Sequence, residues 1–142
     1  MATQLMRNLM RLGNSLGVSL YRRSHGRIGG GAKGLQVCLL TVPGRRTGQP
    51  HTVAVAFMEH DGAHLVMGSG GGQKPEPQWM RNLRVASRAT IQIGDEVREV
   101  TPRITAGEER DRLWHDVVLA RAPFFVKYEE RSGRTIPIAV LR

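Results

Sequence analysis

Cysteine is almost absent from this chain. Cys38 is the one cysteine among 142 residues, so no disulfide can form within the chain. It lies in the apolar run 36–42, where no cationic group would activate a thiol, and we interpret it as buried and unreactive. A single free cysteine is typical of proteins in a reducing cytosol, which predicts a cytoplasmic location.

Long apolar runs are also lacking. No stretch approaches the roughly 20 residues that a membrane-spanning helix needs. Arg7, Asn8 and Arg11 interrupt the apolar residues near the N-terminus, so we expect no secretory signal there. The length of 142 residues is typical of one domain that buries a core without disulfides.

Acidic residues are missing until Glu59, whereas eight of the 21 basic residues precede it. The rest of the chain is nearly neutral, with 13 basic and 12 acidic residues. This asymmetry predicts that the N-terminal part faces an anion, which could be a cofactor, a membrane surface or nucleic acid. Aromatic residues number only seven and do not cluster among the basic ones, which argues against nucleic-acid binding.

We divide the chain into an N-terminal segment over residues 1–34 and a cofactor-binding domain over 35–142. Helical spacing over 2–21 places six apolar residues on one face, namely Leu5, Met6, Leu9, Leu12, Leu16 and Leu20. Two interpretations stay open: a helix packed on the protein's own core, and a basic amphipathic helix lying on the inner face of the cell membrane. Residues 22–34 are rich in glycine and basic residues, which predicts no regular element.

Short strands dominate the remainder. We predict strands over 36–42, 52–58, 64–68, 90–93, 96–101 and 136–141, mostly joined by hairpins. We predict one helix over 78–86 and another that begins at a capping box of Thr105 and Glu108. The pattern indicates an α+β domain built on a mostly antiparallel β-barrel, with an N-terminal helix and two or three peripheral helices.

Two loops carry candidate binding chemistry. The arginine turn (residues 43–50) has adjacent Arg45 and Arg46, whose forked donors suit phosphate or carboxylate, although a solvated basic hairpin is the alternative. The glycine loop (residues 68–75) follows a strand, and its consecutive glycines would let a flat ring or a phosphate approach the backbone. A flexible linker is the alternative for the second loop.

The helix after the glycine loop adds two candidates. Trp79 and Asn82 are three residues apart and therefore lie on one face. Trp79 could form the wall of a site for a planar ring, whereas Asn82 could instead fix the helix to the barrel. The five histidines lack ligand-like spacing and no nucleophile motif occurs, so we expect no metal site.

Several motifs occur together and in order: Tyr21–Arg23, Leu39–Pro50, Ser69–Gly72, Pro77–Leu83 and Arg134–Pro137. The ordered set resembles the deazaflavin-dependent nitroreductase family of actinobacteria, whose members use coenzyme F420. The resemblance implies a split β-barrel related to flavin-mononucleotide-binding barrels. It also implies a cofactor with a ribityl phosphate and a polyglutamate tail, which would account for the basic N-terminal part.

The resemblance implies cofactor contacts in both loops and in the following helix: Gly44, Arg45, Arg46, Thr47, Gly48, Gln49, Pro50, Gly68, Ser69, Gly70, Gly71, Gly72, Trp79 and Asn82. The arginine turn would hold the phosphate and the tail, and the glycine loop would line the ring. The implied substrate pocket comprises Ala56, Phe124, Phe125 and Tyr128. The implied catalytic residues are Ser69, which would polarise an acceptor oxygen, and Tyr128, which would donate a proton or a hydrogen bond to it.

The chain also departs from well-known relatives, which place lysine at Gly70, tyrosine at Ala56 and tyrosine at Phe125. We therefore expect the same cofactor but a different substrate. The prediction is hydride transfer from reduced F420 to a quinone or similar small organic acceptor. The alternatives are the same barrel with flavin mononucleotide, and a non-enzymatic nucleic-acid-binding domain.

Overall fold

The computed structural model describes residues 14–26 and 31–142. Its strands are Gly31–Ala32 (β1), Leu35–Pro43 (β2), Pro50–His60 (β3), Ala63–Met67 (β4), Ala89–Ile93 (β5), Glu96–Val100 (β6), Pro102–Ile104 (β7) and Ile138–Leu141 (β8). Its α-helices are residues 14–23 (α1), Gln78–Val85 (α2), Gly107–Leu113 (α3), Leu119–Arg121 (α4) and Phe125–Ser132 (α5). A 3₁₀ turn spans Gly70–Gly72, and a π-helical turn, Trp114–Val118, joins α3 to α4.

The strands form one antiparallel sheet in the order β6-β5-β2-β3-β4-β8-β7, and β1 pairs with β2 outside this path. β6 and β7 lie at opposite ends of the order, yet only Thr101 separates them in sequence. The two edges of the sheet must therefore approach each other, and the sheet curls into a barrel. This confirms the predicted α+β fold with a mostly antiparallel barrel.

Two apolar clusters hold the barrel together. The inner cluster fills the barrel with side chains from β2, β3, β4, β5, β6 and β8, and α2 covers it with Met80 and Leu83. The outer cluster packs the α3–α5 region against the other face of β4 and β8, with Trp114 and Phe125 as its largest members. All five residues of β4 are buried because helices and barrel core cover both of its faces.

The inner cluster includes Cys38, whose thiol is 1% exposed. Burial raises the pKa of this thiol to about 12, so it stays protonated and unreactive at neutral pH. The prediction of a buried free cysteine is therefore confirmed.

The α1 helix packs on the outer face of β2. Val18 and Tyr21 are buried against Val37 and Leu39. The Tyr21 hydroxyl accepts a hydrogen bond from the Gly94 N–H at 2.9 Å, and its oxygen lies 3.0 Å from the carbonyl oxygen of Val37. Burial raises the pKa of Tyr21. These contacts attach α1 to the barrel at its C-terminal end.

Two predicted apolar positions of the N-terminal helix are exposed: Leu16 at 59% and Leu20 at 47%. Leu5, Met6, Leu9 and Leu12 lie outside the described residues, as do the basic side chains of Arg7, Arg11 and Arg27. Among the residues that the structure does describe, no helix is long and apolar enough to cross a membrane.

Two local predictions are wrong, and one strand was missed. Residues 22 and 23 continue α1, and Gly31–Ala32 pairs with β2, so the segment 22–34 does contain regular structure. The strand β7 was not predicted, because three residues are too few to show an alternating pattern. Thr105 does not cap α3: its hydroxyl donates to the Ile138 carbonyl at 2.9 Å, and Ala106 occupies the N-cap position.

Candidate functional site

A cavity of about 200 Å³ opens beside the middle of β3. The end of β4, the glycine loop, α2 and α5 form its other walls. Its lining residues are Ala54, Val55, Ala56, Met67, Ser69, Gly70, Gly71, Trp79 and Phe125. The structure thus brings together six residues that the sequence analysis had placed in a cofactor or substrate site: Ala56, Ser69, Gly70, Gly71, Trp79 and Phe125.

The wall formed by the glycine loop depends on backbone angles that favour glycine. Gly70 and Gly71 have φ values of +56° and +68°. A Cβ atom built at Gly71 would meet no other atom within 4 Å, so the backbone there is openly accessible. A flat ligand can therefore approach the main chain at this position without a side chain in between.

Arg134 holds the glycine loop from behind. Its guanidinium donates to the carbonyl oxygens of Gly68 at 3.0 Å, Ser69 at 3.1 Å and Gln73 at 3.2 Å. Because the C=O and the following N–H of a trans peptide point in opposite directions, the N–H groups of Ser69 and Gly70 point away from Arg134. Ser69 and Gly70 both line the cavity, and N–H groups on that side of the loop would suit an oxygen of a ligand.

Arg134 is itself partly buried. Burial lowers its pKa, and the carboxylate of Glu76 acts in the opposite direction. Its Nη1 atom is buried and lacks a hydrogen-bond partner among the described residues. A buried cationic donor without a partner is costly, so the carbonyl contacts must offset part of that cost.

The arginine turn lies at the far end of β2 and β3, where Pro43 pairs with Pro50. Arg45 donates from its backbone N–H and from Nη1 to Oδ1 of Asn82, at 3.1 and 2.8 Å, and from Nη2 to Oε1 of Gln78 at 2.9 Å. Arg46 is exposed, and its side chain makes no hydrogen bond or ion pair with any described residue. One arginine of the pair is therefore held by α2 and the other is free.

Helix α2 connects the turn to the cavity. Trp79 lines the cavity, and its neighbour Gln78 and the buried Asn82 hold Arg45. Asn82 does not line the cavity itself. The arginine turn and the cavity thus form two parts of one face of the barrel, linked through a single helix.

A family model described as F420H(2)-dependent quinone reductase matches residues 15–142 of this chain. The chain belongs to the F420H(2)-dependent quinone reductase family. Membership makes it an oxidoreductase with coenzyme F420 as its cofactor, which confirms the resemblance seen in the motifs and does not favour flavin mononucleotide.

Individual relatives agree with the family assignment. An F420H(2)-dependent quinone reductase of Mycobacterium tuberculosis is 32% identical over 126 residues, which are 87% of this chain and 85% of the relative. The solved structure of an F420-H2 dependent reductase, FDR-A, is 27% identical with a TM-score of 0.66, over 75% of this chain and 93% of that chain. A domain-swapped dimer matches over 100% of both chains with a TM-score of 0.67, and its 22% identity supports the fold alone.

The residues at the cavity fit the ring of the family's cofactor. Ser69 is buried, and its hydroxyl makes no hydrogen bond to any described residue, so it is available to a ligand. It adds a third donor beside the two N–H groups of the glycine loop. Trp79 provides a flat apolar wall, and the open backbone at Gly71 leaves space for a planar ring.

Tyr128 and Phe124 lie behind the cavity instead of lining it. Phe124 stacks on Phe125 with ring centroids 4.8 Å apart, and Tyr128 meets Phe125 edge-on at 5.6 Å. Of these three aromatic residues, Phe125 alone reaches the cavity. The Tyr128 hydroxyl accepts a hydrogen bond from Nζ of Lys33.

Sequence reasoning missed four residues that shape this site: Gln78, Arg131, Arg134 and Lys33. Arg134 lies in one of the motifs that carried the family resemblance, yet nothing in its local pattern shows that it binds carbonyl groups 61–66 residues away. Arg131 similarly donates to the Gly71 carbonyl at 3.1 Å. Such contacts are set by the packing of α5 on the loop, and no local spacing indicates them.

A second groove, of about 580 Å³, lies at the β3–β4 hairpin. It is polar and lined by charged or titratable groups, including Glu59, His60, His64, Arg98 and Arg121. Within residues 14–26 and 31–142, no group of three or more His, Cys, Asp or Glu side chains is placed to hold a metal ion. The groove therefore offers no metal site there.

Proposed function

We propose that the cavity beside β3 holds the ring of reduced F420 and that the protein uses it to reduce a quinone or a similar small organic acceptor. The observation that carries this proposal is the convergence of the glycine loop, Trp79 and Phe125 on one cavity. The family assignment supplies the cofactor and the reaction class, and the cavity supplies a location for both.

The arginine turn would bind the anionic part of the cofactor. Arg45 is already oriented by Asn82 and Gln78, so little side-chain entropy would be lost when it meets a phosphate. Arg46 is exposed and free to follow a flexible polyglutamate tail. Gly44, Thr47, Gly48, Gln49 and Pro50 would set the shape of the turn; the Thr47 hydroxyl already accepts a hydrogen bond from the Gln49 N–H at 3.2 Å.

The bound cofactor supplies the hydride and the protein supplies position and polarity. The N–H groups of Ser69 and Gly70 would hold an oxygen of the ring, and Trp79 would fix the plane in which the ring lies. Gly72 would shape this loop, since its N–H donates to the Ser69 carbonyl at 3.0 Å. A fixed ring plane matters because hydride transfer requires donor and acceptor carbons in contact and in line.

The acceptor would occupy the part of the cavity between Ala56 and Phe125. The small side chain of Ala56 leaves space on the strand, and Phe125 shields the acceptor from water. Ser69 would polarise the acceptor oxygen with its hydroxyl. Tyr128 would donate a proton or a hydrogen bond after a modest movement of the aromatic cluster, since its ring packs directly against Phe125.

Steady-state oxidation of reduced F420 by a water-soluble naphthoquinone tests the proposal. We expect turnover that requires both compounds, together with a colourless purified protein that quenches the fluorescence of added oxidised F420. A yellow protein that retains flavin mononucleotide and does not bind F420 would contradict the proposed function. Binding to arbitrary DNA that falls steeply with salt, without affinity for F420, would contradict it as well.

We also propose that α1 rests on an anionic membrane surface. Leu16 and Leu20 are exposed on α1, and Arg22 and Arg23 are exposed at its end, which is the combination that an acidic lipid surface attracts. Co-sedimentation with vesicles containing about 30% acidic lipid should decrease in a Leu16→Ser/Leu20→Ser variant. Equal sedimentation of both proteins would contradict this contact.

A further inference from the structure

Lys33 is placed on α5 by a tight hairpin. Lys33 and Gly34 form the two-residue turn between β1 and β2, with φ values of +51° and +82°, and Ala32 pairs with Leu35 across it. Both positive φ values match the type I′ turn that suits the twist of a hairpin. Leu35 packs against the outer apolar cluster, so the hairpin is held in place beside α5.

The ammonium group of Lys33 contacts the aromatic cluster behind the cavity. Nζ donates a hydrogen bond to the Tyr128 hydroxyl, and it lies 4.7 Å from the centre of the Tyr128 ring and 5.1 Å from that of Phe124. Phe124 in turn stacks on Phe125, which lines the cavity. Two aromatic residues therefore separate Lys33 from the space assigned to the acceptor: Phe125, and either Phe124 or Tyr128.

The direction of this hydrogen bond has a chemical consequence. An ammonium group has donors only, so the Tyr128 oxygen must be the acceptor and its own O–H remains available to donate elsewhere. A hydroxyl that accepts a bond from a cation becomes a stronger donor itself. Lys33 is also exposed, so it can regain a proton from water.

We propose that Lys33 is a positioning residue and a proton source for the reduction of an oxygen-bearing acceptor, acting through Tyr128. This inference rests on the proposed function. Reduction of a quinone to a hydroquinone takes one hydride, which the reduced cofactor supplies, and one proton. Tyr128 would give its proton to the acceptor oxygen, Lys33 would replace it, and water would reprotonate Lys33.

The decisive experiment compares Lys33→Met, Lys33→Arg, Tyr128→Phe and the Lys33→Met/Tyr128→Phe double variant in reduced-F420:quinone turnover. We expect Lys33→Met to lower kcat about 10- to 100-fold. This loss is smaller than the roughly 100- to 10,000-fold that removal of a general acid typically causes, because Tyr128 is still present. The KM for the quinone and the affinity for F420 should change less than about threefold, since Lys33 does not contact the ring site. Lys33→Arg should be faster than Lys33→Met but slower than the unmodified protein, because a guanidinium still donates to the Tyr128 hydroxyl but does not release a proton.

The double variant separates a relay from independent effects. If Lys33 acts through Tyr128, the double variant should be no slower than Tyr128→Phe alone. Multiplicative losses, or a Lys33→Met effect confined to KM, would overturn the inference. Lys127→Met is the matched control, because Lys127 is an exposed lysine next to Tyr128 whose side chain makes no hydrogen bond, ion pair or ring contact with any described residue. This variant should behave as the unmodified protein.

Two outcomes distinguish this inference from the proposed function. If the unmodified protein does not oxidise reduced F420, both are wrong. If it does and Lys33→Met is equally active, the proposed function stands and the role of Lys33 is wrong. Thermal unfolding of each variant serves as the folding check. If Lys33→Met unfolds at a lower temperature, the kcat values of Lys33→Arg and Lys33→Met are compared at 15 °C. Both variants lose the native side chain but only Lys33→Arg retains a cation, so a higher kcat in Lys33→Arg separates the role of the cation from a loss of stability.

Discussion

The glycine loop and the arginine turn lie on the same face of the barrel but are held in opposite ways. The glycine loop has its carbonyl groups bound by Arg131 and Arg134, which come some 60 residues later in the chain. The arginine turn is shaped by its own backbone, with the Gly44 N–H donating to the Gln49 carbonyl at 2.8 Å. The glycine loop is therefore held mainly by distant cationic side chains, whereas the arginine turn combines local backbone hydrogen bonds with contacts from Arg45 to helix α2.

This difference assigns separate roles to the two loops. A wall that must hold a ring in one plane needs rigid support, and the paired carbonyl contacts of Arg134 provide it. A site for a flexible anionic tail needs one fixed and one mobile cationic group, which Arg45 and Arg46 would provide under the proposed function. Loss of support should therefore destroy binding at the glycine loop and only weaken it at the arginine turn.

The largest effect is expected for Arg134→Met. The substitution leaves three carbonyl groups without their donor, and each charge-assisted hydrogen bond contributes about 1.5–3 kcal/mol before solvent and relaxation reduce the total. We expect a loss of about 2–4 kcal/mol in the free energy of unfolding, measured in urea, together with loss of F420 binding. Arg131→Met, which removes one exposed contact to Gly71, should cost below about 1 kcal/mol. Equal effects of the two variants would contradict the assigned role of Arg134.

Alanine substitutions at Arg45 and Arg46 should have smaller and different effects. Arg45→Ala frees Asn82 and Gln78, so both the stability and the affinity for F420 should fall, the affinity by about 10- to 100-fold. Arg46→Ala should leave the unfolding free energy unchanged and weaken F420 binding about tenfold at low salt, less at high salt. A stability loss in Arg46→Ala, or no change in affinity in an Arg45→Ala/Arg46→Ala variant, would contradict the division of roles.

The smallest effect concerns His64, in the polar groove away from both loops. Burial lowers the pKa of His64, Arg98 lowers it further, and Glu59 and Glu96 oppose the shift. The folded protein therefore keeps His64 neutral, while the unfolded chain takes up a proton near the ordinary pKa of 6.5. Stability should decrease as the pH falls below 6.5, until the lowered pKa of the folded state is reached.

His64→Phe should flatten this acid dependence. We expect the unmodified protein to lose at most about 1 kcal/mol more than the variant between pH 7 and pH 5.5 in urea unfolding, because one unit of pKa difference corresponds to about 1.4 kcal/mol. F420 affinity should be the same in both proteins. A change in F420 affinity caused by His64→Phe would show that the polar groove is coupled to the cavity, which would contradict our description of them as two separate sites.

The sequence was sufficient for those parts of the molecule that depend on local pattern. Alternating apolar residues located most strands to within two residues. The glycine loop and the arginine turn were then recognisable as segments that follow or connect those strands. The spacing of Trp79 and Asn82 correctly placed both on α2. It could not show that Asn82 would turn to Arg45 while Trp79 faces the cavity.

The remaining features depend on contacts between distant segments. Thr105 has the spacing of a helix cap, but its hydroxyl binds the Ile138 carbonyl because β8 passes beside it. The residues 22–34 looked like a linker, although β2 offers an edge on which Gly31–Ala32 can pair. The roles of Lys33 and Arg134 likewise follow from the docking of α5 and are invisible to any local spacing.

A fluorescence titration of oxidised F420 with an Ala56→Trp variant tests the central claim most directly. Ala56 lines the cavity beside the space proposed for the acceptor, and an indole there would take up much of the roughly 200 Å³ that acceptor and ring share, so the ring should be excluded. Val97→Trp is the matched control, since Val97 is a 60% exposed strand residue of β6 that does not line the cavity. We expect saturable quenching by the unmodified protein and by Val97→Trp, and at least about 100-fold weaker binding, or about 2.8 kcal/mol, in Ala56→Trp. Unchanged affinity in a folded Ala56→Trp variant would show that the ring binds elsewhere.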